Sequence, residues 1–392
     1  MANHNNSAGN RQVPQPTNKP TPTSILPDPN AKIGSHENCA GGNPDLPVVD
    51  IGGINHRNPR IQRRTADRIG EIAENTGFLY LKGHGIDSHL IESVYDLSKS
   101  FFQKSENFKN QYYIGNNHNH RGYVPVTEKG NYDDEPAIRR YEAFDMGVDL
   151  SPEDPDFLSG NPLLGPNIWP AIPNFKSKLK QYFAAMQHIE GLMCEAFETC
   201  LNLPRGYFRS HMTKPVSQLR LIHYLEGAHS PDPDEITMGA HTDYECFTIL
   251  HSKSPGFQVL DFNNRWIEAP PIENTFYFNI GDMLEVWSNG RFVSTPHRVI
   301  HGNRERYSIP YFCATNYDAV IDPALSSTLG NWNMENSTHY KPIIGGQHLL
   351  TQMLRDFPYL KKRFQTGSLV DPRIVPASNP FESRIRKASN IH

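Results

Sequence analysis

Two histidines and one aspartate have the types and the spacing of a metal site. His241 and Asp243 lie two residues apart in the segment G-A-H-T-D-Y-E-C-F-T-I-L, and His297 follows later in S-T-P-H-R-V-I-H-G-N. Since side chains alternate between the two faces of a strand, a strand through 241–243 would place His241 and Asp243 on one face. The chain between Asp243 and His297 is long enough for several antiparallel strands to bring His297 to the same place.

This set of side chains favours one kind of metal. Two imidazoles and one carboxylate on one face of an octahedral ion leave three positions open, as in the non-haem Fe(II) enzymes that bind O₂ beside an organic chelator. Zinc sites are usually tetrahedral, with at most one open position. An isolated H-x-D pattern is weak evidence, because two polar side chains on a surface strand have the same spacing.

A second pair of polar residues has the geometry to bind a carboxylate. Arg306 and Ser308 begin the run R-Y-S-I-P-Y-F, and they share a face if that run is a strand. A guanidinium offers a carboxylate two parallel N–H donors, and a neighbouring hydroxyl adds a third. On its own the pair fits an exposed strand equally well, but beside a metal site it predicts an anchor for an acidic molecule.

Three further residues near these motifs fit structural roles better. His301 lies in the expected loop between the third ligand and the next strand, and we interpret it as a surface histidine. His223 should face away from its neighbour Tyr224, and an odd offset from the aspartate turns Cys246 to the opposite face. We therefore expect His223 to be structural and Cys246 to be a small buried residue.

The elements that must position these residues are short β runs between turns. The sequence predicts seven strands, at 217–225, 247–251, 257–261, 265–268, 275–280, 291–294 and 308–314. Strands this short at this spacing indicate a sandwich or a jelly roll. The 32 prolines and 28 glycines also favour an architecture of strands and loops over a helical one.

The N-terminal half has α/β character. Strands are expected at 47–51 and 77–81, with a helix along the apolar face of 61–73 between them. Asp87 is expected to cap the helix that follows. Large apolar residues recur every three or four positions through 174–202, which predicts a long helix packed against a sheet.

The remaining segments are less regular. Residues 1–44 are rich in Asn, Pro, Ser, Thr and Gly, so we expect a flexible segment, or alternatively an extended arm docked through Ile25 and Leu26. We expect mainly loops at 111–173 and a helix at 345–364. The last 25 or so residues are polar, and we expect them to be loose.

Composition excludes several classes of protein. The 392 residues include 38 Lys and Arg against 42 Asp and Glu, without a dense basic run, so nucleic acid is not an expected partner. No run of roughly 20 apolar residues is present, and the N-terminus lacks a signal-type apolar stretch, which predicts a cytoplasmic protein without a membrane partner. Five cysteines without a C-x-x-C pair agree with a reduced, intracellular setting.

The motifs, taken together, resemble a known family. G-D-M-L-E-V-W-S-N-G-R-F-V-S-T-P-H-R-V at 281–299 and R-Y-S-I-P-Y-F at 306–312 are similar to the isopenicillin N synthase-like family, which includes many 2-oxoglutarate-dependent dioxygenases. P-V-V-D-I, G-F-L-Y-L-K-G-H-G-I and F-F-Q-K-S-E-N-F-K resemble the N-terminal region of that family. R-G-Y-V-P at 121–125 and Y-E-A-F-D-M-G at 141–147 are also similar. The resemblance covers roughly residues 46–365.

The resemblance implies an α+β fold, with a double-stranded β-helix (jelly-roll) core and flanking helices. It divides the chain into the flexible segment 1–44, an N-terminal α/β region at 45–210, the jelly-roll catalytic core at 211–330, and a C-terminal helix and polar tail at 331–392. The core would contain both the Fe(II) site and the 2-oxoglutarate site.

The resemblance also implies roles for individual residues. Fe(II) would be bound by the residues His241, Asp243 and His297. The distal carboxylate of 2-oxoglutarate would be held by the residues Arg306 and Ser308, with a further hydrogen bond from Tyr224. The sequence departs from the family at two positions, because Ile222 stands where many members have asparagine and Leu225 where many have proline. Ile222 cannot hydrogen-bond the chelating end of 2-oxoglutarate.

The implied reaction is the oxidation of a small specialised metabolite by O₂, through hydroxylation, desaturation or cyclisation. 2-Oxoglutarate would be the co-substrate, leaving as succinate and CO₂. Halogenation is not expected, because Asp243 is retained and no coordination position is freed for chloride. Arg121 and Tyr123 are expected to contact the substrate, with packing inside a loop as an equally good alternative.

Two alternatives remain open at this point. One is an oxidase that needs no 2-oxoglutarate, like isopenicillin N synthase, acting on an amino-acid or peptide substrate. Arg306 and Ser308 would then hold a carboxylate of the substrate, so the R-x-S motif does not discriminate. The other is a non-catalytic binding protein with a structural zinc, against which the complete set of Fe-type ligands argues.

Overall fold

The computed structural model describes residues 46–126, 131–132, 135–136, 141–225, 236–300, 305–330, 339–369 and 379–391. The part of the chain that starts at Leu46 belongs to a single compact unit. The predictions for residues 1–44 and for His301 lie outside the described residues.

Sixteen strands lie within the described ranges, and the shortest of them have two residues. They are β1 Val48–Asp50, β2 Phe78–Lys82, β3 Gly122–Val124, β4 Asn131–Tyr132, β5 Glu135–Pro136, β6 Tyr141–Gly147, β7 Gln218–Tyr224, β8 Ile236–His241, β9 Phe247–Ser252, β10 Phe257–Leu260, β11 Trp266–Glu268, β12 Phe276–Ile280, β13 His297–Ile300, β14 Arg306–Cys313, β15 Val320–Ile321 and β16 Ile343–Ile344.

Eleven α-helices accompany these strands in the same ranges. They are α1 Pro59–Asn75, α2 Ser88–Phe102, α3 Glu106–Asn110, α4 Pro155–Leu158, α5 Phe175–Cys200, α6 Tyr207–Ser210, α7 Asp282–Trp287, α8 Pro323–Leu329, α9 Gly345–Asp356, α10 Pro358–Gln365 and α11 Glu382–Ser389.

Two sheets form the centre of the fold. The major sheet has eight strands in the order β1-β2-β12-β9-β14-β7-β6-β3, and the minor sheet has four in the order β11-β10-β13-β8. Every neighbouring pair is antiparallel except β1 and β2. Side chains from both sheets line one cavity between them. This is the jelly-roll core that the strand pattern indicates.

Helix α5 packs along one face of the major sheet. Its apolar stripe is buried, and its aromatic side chains contact the sheet directly: Phe183 packs on Tyr311 with ring centroids 5.3 Å apart, and Phe197 packs on Phe278 at 6.0 Å. The prediction of a long helix over 174–202 is therefore correct in type and within two residues at each end.

Several elements differ from the sequence-based expectation. No strand forms at 291–294; helix α7 ends just before it, and the backbone N–H of Val293 donates to Ala73 while that of Ser294 donates to the Glu285 side chain. Strand β6 lies in the stretch expected to be mainly loops. The helix expected at 345–364 is divided at Phe357, because proline follows it and disfavours helical geometry there.

The polar tail is not loose throughout. Residues 382–389 form helix α11, whose Arg384 makes two charge-assisted bonds to buried Glu285, at 2.8 and 2.9 Å, and one to the Ser294 carbonyl at 2.7 Å. The expectation failed because the partner that orders this segment lies almost 100 residues earlier in the chain.

Within the part of the chain that the structure describes, no helix is long and apolar enough to cross a lipid bilayer. Cys194, Cys200, Cys246 and Cys313 are buried and carry free thiols.

Candidate metal centre

The two histidines meet across the minor sheet. His241 is the last residue of β8 and His297 is the first of β13, and the two are register partners with ring centroids 4.3 Å apart. Asp243 lies two residues beyond β8, in a turn rather than in a strand. The predicted convergence of the three side chains is correct, although only His241 of the H-x-D pair belongs to a strand.

The turn that carries Asp243 is held by the start of α7. The backbone N–H of Asp282 donates to the Asp243 carbonyl at 2.8 Å, and that of Gly281 donates to the Cys246 carbonyl at 2.9 Å. A Cβ atom on residue 281 would lie 2.2 Å from the Glu245 carbonyl oxygen, so only glycine allows this approach. Gly281 and Asp282 of the G-D-M motif therefore hold the turn that positions the Asp243 carboxylate, although neither residue belongs to the triad.

The donor atoms of the triad point toward one another. One ligand atom from each of His241, Asp243 and His297 lies within 4.8 Å of the other two. Asp243 Oδ1 is 3.8 Å from His241 Nε2 and 3.5 Å from His297 Nε2. Nδ1 of His241 lies 2.8 Å from the Gly239 carbonyl, and Nδ1 of His297 lies 3.2 Å from the Thr295 carbonyl.

These contacts fix the tautomer of each ring. A carbonyl oxygen only accepts, so Nδ1 of His241 and of His297 must carry the hydrogen, which leaves each Nε2 as a lone-pair donor when the ring is neutral. Burial, followed by the charge of His297, lowers the pKa of His241 to about 4 and keeps that ring neutral near pH 7. The donor set thus fits a divalent metal.

The second oxygen of Asp243 is occupied by protein. Thr248 and Asn279 both donate to Oδ2, the latter at 2.7 Å, which leaves Oδ1 for a metal. Burial alone would raise the pKa of Asp243, but the neighbouring imidazoles of His297 and His241 and the hydrogen bond from Asn279 hold this pKa well below its usual range. Sequence reasoning missed Thr248 and Asn279, although each is a polar residue inside an otherwise apolar strand run.

Arg306 has hydrogen-bonding capacity that the protein does not use. Arg306 is 6% exposed, and its Nη2 donates to Ser252 at 3.3 Å. Its Nε and Nη1 are buried and have no partner in the described part of the chain. A buried guanidinium with open donors is costly unless a ligand accepts from it, so these atoms fit a carboxylate.

The residues predicted to act with Arg306 lie beside it. Ser308 follows on the same face of β14, and both side chains line the cavity. Tyr224 is the register partner of Arg306 on β7, and its ring centroid lies 4.7 Å from the guanidinium carbon. Burial raises the pKa of Tyr224, opposed by Arg306 and by a hydrogen bond with Ser308. Ile222 lies opposite Ser308 and lines the cavity as an apolar group.

One cavity of about 580 Å³ contains all of these groups. The triad lies on its minor-sheet side, and Arg306 with Ser308 lies on its major-sheet side. Leu349 and Met353 of α9 and Ile385 of α11 form part of the remaining wall. A volume in this range suits a small organic molecule beside a co-substrate.

The structure favours the packing alternative for Arg121 and Tyr123 over a substrate contact in this cavity. Arg121 and Tyr123 are not among the residues that line this cavity. Arg121 is 2% exposed and donates to the carbonyls of Asn119, His120 and Leu163, so it is a packing residue. Tyr123 is also buried, and its hydroxyl donates to Glu142 at 2.6 Å.

His223 and Cys246 occupy the positions expected for them. Neither lines the cavity, and both are buried. His223 lies on the opposite face of β7 from Tyr224, with its ring nitrogens 2.8 Å from Glu142 and 2.9 Å from Glu305.

Besides Thr248 and Asn279, three further polar residues of the cavity were not predicted as functional. Gln218 and Arg220 lie on β7 on the same face as Tyr224, and Glu245 lies in the turn after Asp243. Burial and the charge of Asp243 raise the pKa of Glu245 to about 8. The alternation of polar residues in Q-L-R-L-I-H-Y was a usable signal for Gln218 and Arg220.

Two family models match the chain. The model described as the 2OG-Fe(II) oxygenase superfamily matches residues 215–315. The model described as the N-terminal region of non-haem dioxygenases in morphine synthesis matches residues 46–172. Together these matches include the triad, the Arg306 anchor and the N-terminal α/β elements.

Characterised relatives and solved structures agree with these matches. A homoarginine-6-hydroxylase of Oryza sativa subsp. japonica is 31% identical over 301 residues, which cover 74% of this chain and 88% of the relative. A 1-aminocyclopropane-1-carboxylate oxidase of Dictyostelium mucoroides is 29% identical over 379 residues, covering 83% and 98%. A full-length Neurospora crassa protein, crystallised with α-ketoglutarate (2-oxoglutarate) and thymine, superposes with a TM-score of 0.68 at 28% identity, covering 79% of this chain and 96% of that one.

Proposed function

Because this chain belongs to the 2OG-Fe(II) oxygenase superfamily, we propose that it oxidises a C–H bond of a small specialised metabolite, with 2-oxoglutarate as co-substrate. The observation that carries the proposal is the geometry of the cavity, where three metal-type donors face an unsatisfied buried guanidinium. A structural zinc site would not explain why a guanidinium with unpaired donors is buried in the same cavity.

We assign the metal to His241 Nε2, Asp243 Oδ1 and His297 Nε2. When bound there, Fe(II) together with 2-oxoglutarate activates O₂ for oxidation of the substrate and yields succinate and CO₂. The backbone carbonyls behind both imidazoles keep the Nε2 lone pairs directed at the metal position. Thr248 and Asn279 do the same for the carboxylate.

The protein positions the co-substrate through one end. Arg306 and Ser308 hold the distal carboxylate in our assignment, and Tyr224 packs on the guanidinium and orients it. The 2-keto acid end then faces the triad across the cavity. Ile222 and Leu250 add apolar surface near this position and help to exclude water from it.

A second candidate is an oxidase that does not consume 2-oxoglutarate. The similarity to a 1-aminocyclopropane-1-carboxylate oxidase over 83% of the chain supports this candidate. In that case Arg306 and Ser308 would hold a carboxylate of the substrate itself. We favour 2-oxoglutarate because the similar Neurospora crassa structure, with TM-score 0.68, was solved with that co-substrate.

The test is a substrate screen with Fe(II), ascorbate and 2-oxoglutarate, in which product mass and succinate are both measured. A gain of 16 Da marks hydroxylation, and a loss of 2 Da marks desaturation or cyclisation. One succinate for each product molecule is the expected result. Product without succinate would replace the proposal by the oxidase, and tight zinc without O₂ uptake would contradict both.

We also propose a role for each region of the chain and a cytoplasmic location for the protein. Residues 211–330 supply the metal and co-substrate residues. The region 45–210 supplies supporting helices, outer strands and Tyr141 of the cavity wall, and 331–392 supplies a further part of that wall. The four buried free thiols support a reducing, cytoplasmic setting.

A further inference from the structure

One wall of the cavity carries polar groups that the metal and the co-substrate do not use. This polar wall consists of Gln218, Arg220 and Glu245. Gln218 and Glu245 are each 6% exposed, and the Arg220 side chain is 15% exposed. Polar groups this deeply buried are hydrogen-bonded in nearly all proteins, so unused capacity here points to a ligand.

Arg220 is held rigidly from behind. Its Nε donates to Asp145 Oδ1 at 2.6 Å and its Nη2 donates to Asp145 Oδ2 at 2.9 Å. The rings of Phe312 and Phe357 each have their centroid 5.7 Å from the guanidinium carbon. Arg220 lines the cavity, and Asp145 accepts only from its Nε and Nη2, which leaves Nη1 for another acceptor. Arg220 is therefore a fixed donor for a molecule in the cavity.

Arg220 is not a second anchor for the co-substrate carboxylate. It lies four residues from Tyr224 along β7, which is about 13 Å of extended strand, and Tyr224 is the register partner of Arg306. The Arg220 guanidinium is held by Asp145 beside Phe312 and Phe357, whereas the Arg306 guanidinium lies over the Tyr224 ring, so the two occupy different parts of the cavity. Arg220 and His241 nevertheless line the same cavity.

Gln218 and Glu245, the other two residues of the polar wall, also have polar atoms that form no hydrogen bond to another side chain within the described structure. Gln218 Nε2 is buried without a partner in the described structure. No other side chain in these ranges hydrogen-bonds to the Glu245 carboxyl, which is met by the backbone N–H groups of residues 244 and 245. The wall thus offers N–H donors from Gln218 and Arg220 and an acceptor oxygen from Glu245.

Charges at the cavity rim are already paired with each other. Glu382 of α11 lies 2.7 Å from Arg386 and 3.6 Å from Arg355. These residues are also more exposed, so solvent screens them. The rim therefore contributes less to recognition than the polar wall does.

We propose that the polar wall binds the polar head of the substrate, with an oxygen acceptor on Arg220 and Gln218 and an N–H donor on Glu245. The substrate class is then a small nitrogenous compound with N–H near a carbonyl or carboxylate, either a cyclic amide or an amino acid. This inference rests on the proposed function, since it assumes that the co-substrate occupies the Arg306 end.

The experiment measures binding without turnover. Protein loaded with Mn(II) and 2-oxoglutarate is titrated calorimetrically with thymine, L-homoarginine, 1,3-dimethylthymine and toluene. Thymine and homoarginine represent the cyclic amide and the amino acid, dimethylthymine lacks N–H, and toluene lacks both polar features. We expect at least one N–H compound to bind about tenfold more tightly than the two compounds without N–H. A panel in which neither N–H compound binds more tightly contradicts the proposal.

Variants tie the effect to the polar wall. Arg220→Lys keeps a cation beside Asp145 but loses the planar pair of N–H donors, and Glu245→Leu removes the acceptor oxygen. Each should weaken the preferred compound by about tenfold or more. Whichever of thymine and L-homoarginine binds more tightly to the wild type distinguishes the cyclic amide from the amino acid. Arg386→Lys and Glu382→Leu make the same changes at the rim and should alter affinity by less than about threefold.

Two outcomes separate this inference from the proposed function. If the Fe(II)-loaded wild type forms succinate but Arg220→Lys and Glu245→Leu bind every compound as the wild type does, only the inference is wrong. If the wild type forms no succinate under any condition, the proposed function fails, and the binding panel still reports on the polar wall.

Discussion

At the scale of single residues, the proposed site depends on polar atoms whose partners the protein does not supply. Arg306 keeps Nε and Nη1 buried and unpaired within the described part of the chain, and Asp243 presents one oxygen to two imidazoles while its other oxygen is satisfied. Such arrangements cost stability in the absence of a ligand, and for that reason they mark the site more specifically than the H-x-D pattern does.

Arg306 provides the first prediction. Arg306→Met should raise the KM for 2-oxoglutarate by about 10- to 100-fold, because two charge-assisted hydrogen bonds are lost. Arg306→Lys should raise this KM less, since the positive charge remains and only the paired N–H donors of the guanidinium are lost. Steady-state succinate formation at varied 2-oxoglutarate measures both. An unchanged KM in Arg306→Met would show that the co-substrate binds elsewhere.

Thr248 provides a second prediction, at a residue that does not touch the metal. Thr248→Val removes one of the two donors to Asp243 Oδ2 with little change in shape. Metal affinity should fall by about 10- to 100-fold, as is usual when support for a ligand is removed. Thr275→Val removes a hydroxyl bonded to the Ile272 carbonyl, away from the site, and serves as the control. Equal Fe(II) affinity in the two variants would contradict this role of Thr248.

At the scale of helices and strands, the sequence pattern correctly predicted the elements that are stabilised by residues close together in the chain. The apolar stripe of α5 and the Asp87 cap of α2 are properties of neighbouring residues, and both occur as expected. Helix α7 and the absent strand at 291–294 depend on distant partners instead. The N–H groups of Val293 and Ser294 bond to α1 and to Glu285, and no local pattern reveals this.

The packing of α5 on the major sheet gives a prediction about pH. Glu190 of α5 is buried and accepts a hydrogen bond from Tyr311 of β14. Burial raises its pKa to about 7, with hydrogen bonds from Tyr311 and Cys313 opposing the shift. The folded state therefore holds a proton that the unfolded state releases near pH 4.5, and the stability this contributes is lost as pH rises through about 7.

Glu190→Gln should remove this dependence. Between pH 5 and 8 its free energy of unfolding should fall less than that of the wild type, by on the order of 1–3 kcal/mol. Urea unfolding at several pH values measures the difference. Glu71→Gln, on the exposed face of α1, should retain the wild-type slope. A wild-type slope in Glu190→Gln would mean that Glu190 is ionised in the folded protein.

The position of helix α11 depends on the ion pair between Arg384 and Glu285. Arg384→Met leaves the Glu285 carboxylate, 3% exposed, without its bidentate partner. We expect a loss of about 1–3 kcal/mol and faster amide hydrogen exchange across 382–389. Arg386→Met, on a side chain that is 62% exposed, should change stability by less than about 0.5 kcal/mol. Unchanged exchange in Arg384→Met would show that α11 is held by apolar contacts alone.

At the scale of the whole molecule, the site is assembled from segments that only the completed fold brings together. Spacing and resemblance together were enough to predict that His241, Asp243 and His297 converge and that Arg306 lies in the same cavity. They left Arg121 and Tyr123 open between substrate contact and loop packing, because side-chain direction in this region depends on the pairing of β3 with β6, which local sequence does not reveal. They also missed α11 as a wall of the cavity, since its position is set by Glu285 in the core.

The most direct test of the proposed metal centre compares succinate release by the wild type and by His297→Ala. Both proteins are loaded anaerobically with Fe(II), given 2-oxoglutarate, and then exposed to O₂. We predict that wild-type succinate rises with added Fe(II) until one ion is bound per chain, and that His297→Ala, still folded by circular dichroism, releases almost none. Wild-type rates in His297→Ala would show that these three side chains do not form the reacting metal site.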